Sequence, residues 1–280
     1  MIKRVNYLNN KDLLIEIHKS KNSFSSFAKP EYNEFDSIVD DLSEITDEII
    51  SEAKQTKLKK LAIQWLESEK ELGNSPKLAD FPTTIDDIKT DDIIFRVMTF
   101  DHIPDLAGKK ESKLIKEMKE KLNFPPFQHW KFENGSLILV GKSHWKGDLE
   151  TGKFSKNHGK LTEKLGDMII KLSKRYSTRG NLRAYTYVDE LQGEAIIHLC
   201  AAGLKFDEKK SKNPFAYFTQ LIKCAMIKVL NAEKRAQDIR DDILELNDMN
   251  PSNTRLINSE FEADMKREAL YNAGFVFTED

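Results

Sequence analysis

The sequence predicts a mostly α-helical protein that carries one small β hairpin. Three observations point there. Apolar residues recur at helical spacing through most of the chain from Lys160 to Asp248. A second long amphipathic stretch runs from Asp36 to about Leu72. Only residues 130–140 (WKFENGSLILV) set a turn dipeptide, Asn134-Gly135, between two apolar runs, the pattern of a tight hairpin.

In chain order, residues 10–19 predict a short helix, with Asn10 as N-cap before Leu13, Leu14 and Ile17. Residues 20–33 are polar, hold the breaker Pro30 and read as a loop. The stretch 36–72 is too long for one ordinary uncapped helix, so two are expected there. Helix fragments are expected at 84–100 and at 111–122, the latter ended by Pro125-Pro126. After the hairpin, GKSHWKGDLETGKFSKNHG (141–159) reads as an exposed basic loop. Helices then follow near 160–177, 187–203 and 213–236, with a further one over 237–248.

The helix 213–236 is the best defined. Asn213 can cap it, and Pro214 sits at N1, where a missing N–H costs nothing. Phe215, Phe218, Ile222, Ala225, Met226 and Val229 share one face and predict its core side. Tyr217, Gln220, Cys224, Ile227, Lys228, Asn231 and Arg235 fall beside or opposite that face.

Charge is unevenly spread over the 280 residues, although the net charge is only −2. Residues 1–30 carry +4, 31–101 carry −10, 102–240 carry +11 and 241–280 carry −7. A basic centre between acidic blocks suits a polyanionic partner. No apolar run is long enough for a membrane helix, and the N-terminus lacks the apolar core of a secretory signal. Two cysteines, Cys200 and Cys224, make no disulfide framework and suggest a reducing compartment.

Catalytic patterns are weak. His198, Cys200 and Cys224 lack zinc-ligand spacing, so the cysteines read as small core thiols. The pairs Asp86-Asp87 and Asp91-Asp92 could hold Mg²⁺ in a nuclease, but adjacent acids more often cap turns. Gly141-Lys142-Ser143 lacks the upstream glycine spacing of a phosphate loop. No enzyme, cofactor or metal is indicated.

The block YVDELQGEAIIHLCAAGLKFDEKKSKNPFAYFTQLIKCAMIKVLNAEKR (187–235) resembles region 2 of bacterial sigma factors. More closely, the run from Phe206 to Thr219 resembles the FDE-x-K-x-KNP-x-AY-x-T pattern of the late-transcription sigma factors of T-even-type phages and their marine relatives. VNYLNNKDLL (5–14), SHWKGDLETGKF and YTYVDELQ are also similar to that family. The resemblance covers roughly 1–20 and 141–260. The sequence departs from bacterial sigma factors where Gln220 and Leu221 replace paired tryptophans, and no second helix-turn-helix domain is evident.

The resemblance implies a factor that binds the host RNA polymerase core and directs recognition and melting of an A·T-rich late promoter element in promoter DNA. It places Tyr217 where an aromatic helps open the duplex, by offering an unpaired base a stacking surface. Lys209, Lys210, Lys212, Lys223, Lys228, Lys234 and Arg235 would contact phosphates, with Gln220 and Asn231 at base edges or backbone. Asp189, Glu190, Gln192 and Glu194 would dock on the coiled coil of the polymerase largest subunit. The tail EALYNAGFVFTED (268–280) resembles, in composition and position, a family peptide that binds the replication sliding clamp. Leu270, Phe275 and Phe277 would be its anchors, and a late co-activator is a further implied partner. The implied place of action is the host cell cytoplasm. The expected organisation is an N-terminal helix (1–29), an acidic helical insertion with the hairpin (30–140), a region 2-like domain (141–248) and an acidic, apolar tail (249–280). The alternative is a polymerase- or DNA-binding accessory protein without promoter specificity.

Overall fold

A computed structural model describes residues 8–72, 74, 77–104, 117, 121–182 and 185–272. The chain is mostly helical, with a small sheet built on its N-terminal half. Six described helices are α1 (Asn10–Ser23), α2 (Asp47–Glu71), α3 (Glu163–Ser177), α4 (Val188–Ala202), α5 (Pro214–Leu246) and α6 (Asn253–Asn272).

The helical core forms where α1, α3, α4 and α5 turn their apolar stripes together. Leu13 and Ile17 of α1 meet Leu165, Ile169 and Leu172 of α3, Leu191, Ala195 and Leu199 of α4, and Phe218, Ile222 and Met226 of α5. Each set keeps the helical period read from the sequence, so burial follows from spacing. Asn213 caps α5 as expected: its side chain accepts from the Ala216 N–H at 3.1 Å, with Pro214 opening the helix. The helix then runs unbroken to Leu246, joining the two expected at 213–236 and 237–248. No proline or glycine interrupts it.

One cap differs from expectation. Asn9, not Asn10, caps α1, accepting from the Asp12 N–H at 2.7 Å. Asn10 instead accepts from the Phe215 N–H at 3.1 Å, so α1 satisfies a donor that the start of α5 leaves open. Phe215, expected in the core, is 39% exposed at that same first turn.

The sheet has five strands in the order β1-β5-β4-β3-β2, where β1 is Ser25–Phe27, β2 Ser37–Val39, β3 Ile94–Val97, β4 Gln128–Glu133 and β5 Ser136–Ser143. The β2–β3 pair is parallel and the other pairs are antiparallel. The hairpin is present, with Asn134 (φ 51) and Gly135 (φ 78) both left-handed, as a two-residue type I′ turn demands. It is larger than the sequence predicted. Three short strands extend it, and they come from 25–27, 37–39 and 94–97.

Several expectations over 30–159 are therefore corrected. The stretch 36–72 holds one strand and one helix rather than two helices. The helix fragment expected at 84–100 is two 3₁₀ turns leading into β3; the one at 111–122 lies largely outside the described residues. The 141–159 loop is not an exposed basic loop throughout: Ser143 and His144 are fully buried, and a short hairpin pairs β6 (Trp145–Lys146) with β7 (Lys153–Phe154). The sheet also runs across the expected boundaries at 30 and 141, since β1 pairs with β5 and β5 spans residues 136–143. Beyond the core, Ala53 of α2 packs with Ile93 and Phe95 to cover one face of the sheet.

Candidate nucleic-acid interface

The loop between α4 and α5 carries the FDEKKSKNP motif, and its first three residues do different jobs. Phe206 is buried in the helical core against Tyr217, with ring centroids 5.6 Å apart. Asp207 shapes the turn, accepting from the Lys209 N–H at 3.0 Å and lying 3.6 Å from the Lys210 ammonium. Glu208 points inward to Lys21 of α1, whose Nζ donates to Oε1 at 2.6 Å and to the Phe206 carbonyl at 2.7 Å. Burial alone would raise the Glu208 carboxyl. Lys21, Arg96 and His18 outweigh it and hold it down at about 2.

Arg96 of β3 approaches the same cluster from the sheet. It is 0% exposed, and its guanidinium carbon lies 3.8 Å from the ring centroids of both Phe35 and Phe127. Its Nε donates to His129 Nε2 at 3.0 Å, so His129 carries its proton on Nδ1 and donates to the Tyr32 carbonyl at 2.7 Å. The motif thus sits on a buried charge cluster that ties helix α1, the sheet and the loop together.

The outward half of the loop is basic. Lys209 is held by Asp40 at 2.6 Å and Glu44 at 3.7 Å, which raises its pKa. Lys212 is exposed and, among the described residues, makes no ion pair. On α5, Gln220, Lys223, Asn231, Lys234 and Arg235 are all exposed. Cys224, Ile227, Lys228, Asn231 and Arg235 line a shallow groove along one face of that helix.

Tyr217 is placed differently from the sequence expectation. Its ring packs on Phe206 and Phe218, and its hydroxyl donates to the Ala202 carbonyl at 2.9 Å. These contacts leave the ring half-buried rather than outward. Both cysteines, read as core thiols, are exposed, because the phase of α4 and α5 turns them away from Leu199 and Ala225.

The residues expected to meet polymerase divide into two pairs. Asp189 and Glu190 stand exposed in the first turn of α4, where carboxylates complement the helix dipole. Gln192 turns to the Ser177 hydroxyl at 3.5 Å, and Glu194 binds Lys228 at 2.7 Å, which lowers the Glu194 carboxyl. That ion pair ties Lys228 of α5 to α4. Leu270 is exposed on α6, while Phe275 and Phe277 lie outside the described residues.

Two features escaped the sequence reading. One is the Lys21–Glu208–Arg96 cluster. The other is an exposed row on α3, Lys171, Lys174 and Arg175, at i, i+3, i+4 spacing opposite Leu165, Ile169 and Leu172. Its spacing was the available signal.

No protein-family model, curated protein or solved structure matches this chain significantly. The likeness to phage late sigma factors therefore rests on the residues themselves, chiefly Phe206 to Thr219.

Proposed function

We propose that the protein is a phage sigma-like factor that binds host RNA polymerase core and directs recognition and melting of an A·T-rich late promoter element. The observation that carries the reading is the FDEKKSKNP loop joined to α5. One end of that loop is buried and fixed; the other presents lysines beside a helix whose exposed side holds amides and cations. A rigid basic turn next to polar readers suits a phosphate backbone with bases alongside. Asp189 and Glu190 stand clear at the other end of the helix pair, available to a basic partner that they would orient more than tighten.

A second reading is favoured by one specific observation. Tyr217 is occupied by its hydrogen bond to Ala202, so the surface offers no free aromatic at the position expected to stack on a melted base. An accessory protein that holds polymerase or DNA without opening it needs none.

Transcription with purified core polymerase on phage late-promoter DNA separates the two. A sigma-like factor gives initiation at one start site. An accessory protein gives none alone and alters initiation only when another specificity factor is present. Absence of any effect on core polymerase overturns both.

A further inference from the structure

The acidic segment that follows β2 reaches across to the basic motif loop. Lys209 Nζ lies 2.6 Å from Asp40 Oδ2 and 3.7 Å from Glu44 Oε2. The carboxylates are held in place by ordered backbone. β2 pairs in parallel with β3, the Met98 N–H donates to the Val39 carbonyl at 2.9 Å, and Asp41 caps the following turn through the Ser43 N–H at 2.8 Å. Glu44 also accepts from the Asp40 N–H at 3.0 Å, so the two acids and the lysine close a small ring of contacts. All three side chains are partly exposed, 38% for Lys209, 60% for Asp40 and 44% for Glu44. They are open to exchange with solutes.

We infer that Asp40 and Glu44 form an internal competitor for the polyanion that the motif loop binds, so that a phosphate must displace them to reach Lys209. The inference rests on the proposed DNA-binding role of this loop. Two fixed carboxylates beside an ammonium occupy the positions that two phosphate oxygens would take. Exposed ion pairs are weak, which makes the contact a mild and reversible brake. The segment belongs to the −10 block and the loop to the +11 block, so the charge imbalance of the sequence is partly neutralised inside the molecule. Lys210 is occupied more loosely by Asp207 at 3.6 Å, which leaves Lys209 as the loop cation under strongest internal competition.

The test uses the full chain and a fluorescently labelled A·T-rich duplex with an unpaired bubble, followed by anisotropy. The double variant Asp40→Asn/Glu44→Gln keeps shape and hydrogen bonding while removing both charges. It is expected to bind about two- to tenfold tighter than the wild type at low salt. The gain should vanish near 1 M salt, where screening acts within about 3 Å. In a Lys209→Gln background the same acid substitutions should have no effect, which distinguishes a local contact from a general change of net charge. Asp86→Asn/Asp91→Asn, two exposed acids of the same block, serves as the equal-charge control and should bind like the wild type. Unchanged affinity of the double variant, or an equal gain in the control, overturns the inference while the DNA-binding reading stands. Failure of every form to bind the probe overturns both.

Discussion

Lys21 and Glu208 meet at 2.6 Å across 187 positions of sequence, with side chains only 2% and 8% exposed. The pair fastens helix α1 to the motif loop, and Arg96 adds a second cation from the sheet. Removing one member of such a pair leaves a buried charge uncompensated, which costs far more than the pair itself contributes. Lys21→Met should therefore destabilise the fold by about 3–5 kcal/mol. Lys21→Met combined with Glu208→Gln should recover part of that loss. Urea unfolding of the three proteins checks this, and a Lys21→Met loss under about 1 kcal/mol would contradict it.

Stability should fall steeply in acid. Burial, with Arg96 next, holds His18 down at about 3, and burial, with His102 next, holds His144 at about 3. Burial also pushes His129 well below its usual value. Unfolded histidines take up protons near pH 6.5, whereas folded His18 and His144 refuse them until about pH 3 and folded His129 is shifted in the same direction. The unfolded state binds more protons through that window, so stability drops as pH falls from 6.5 toward 3. Each histidine adds up to about 1.4 kcal/mol per pH unit. Glu208, held at about 2, works in the same direction below its unfolded value of 4.5. Thermal melts between pH 7.5 and pH 4 should show the decline beginning near 6.5. A flat melting temperature over that range would exclude it.

Tyr217 must leave its pocket if it stacks on an unpaired base, giving up the hydroxyl bond to Ala202 and the contacts with Phe206 and Phe218. Tyr217→Phe deletes only the hydroxyl bond, which holds the ring in. It should cost about 1 kcal/mol of folding stability yet leave or improve promoter opening. Tyr217→Ala removes the ring and should weaken opening by about 1–3 kcal/mol with polymerase binding intact. Permanganate reactivity of promoter thymines measures opening in both variants. Equal reactivity of a folded Tyr217→Ala protein would return this residue to a purely structural role.

The same residues show why some of this was legible from sequence and some was not. The helical region declared itself because Leu165, Ile169 and Leu172, or Phe218, Ile222 and Met226, repeat within one local window. The hairpin did so through two residues that tolerate positive φ. Strands β1, β2 and β3 have only three or four residues each and take their partners from distant segments. β3 (IFRV) is buried on both faces and includes Arg96, so alternation could not reveal it. Glu208 reads as one more acid in a charged run, and nothing near it in sequence indicates Lys21. The burial of Tyr217 likewise depends on where the loop returns, which is a tertiary property. Charge blocks were visible, but their contact through Lys209 and Asp40 was not.

The C-terminal region bears on the last prediction. Asp241 closes the turn between α5 and α6, accepting from the Ser252 N–H at 2.9 Å and the Ser252 hydroxyl at 2.7 Å. Arg255 then binds Asp242 at 2.6 Å and Glu245 at 2.9 Å. Beyond this clasp, α6 has no buried residue, and Ile257 and Phe261 are each 64% exposed at i, i+4 spacing. A helix that, among the described residues, buries none of its own side chains draws little stability from packing. On the proposed sigma-like function, and with the tail serving a partner rather than the fold, deleting residues 270–280 should leave the melting temperature and basal promoter-dependent initiation unchanged. If the tail docks on the replication sliding clamp through Leu270, Phe275 and Phe277, the same deletion should abolish clamp-stimulated transcription. Calorimetry of the 268–280 peptide with the cognate clamp reads the contact directly. Absence of heat at high micromolar concentration, or a truncation that lowers the melting temperature together with basal initiation, would show that these apolar residues serve the protein's own fold.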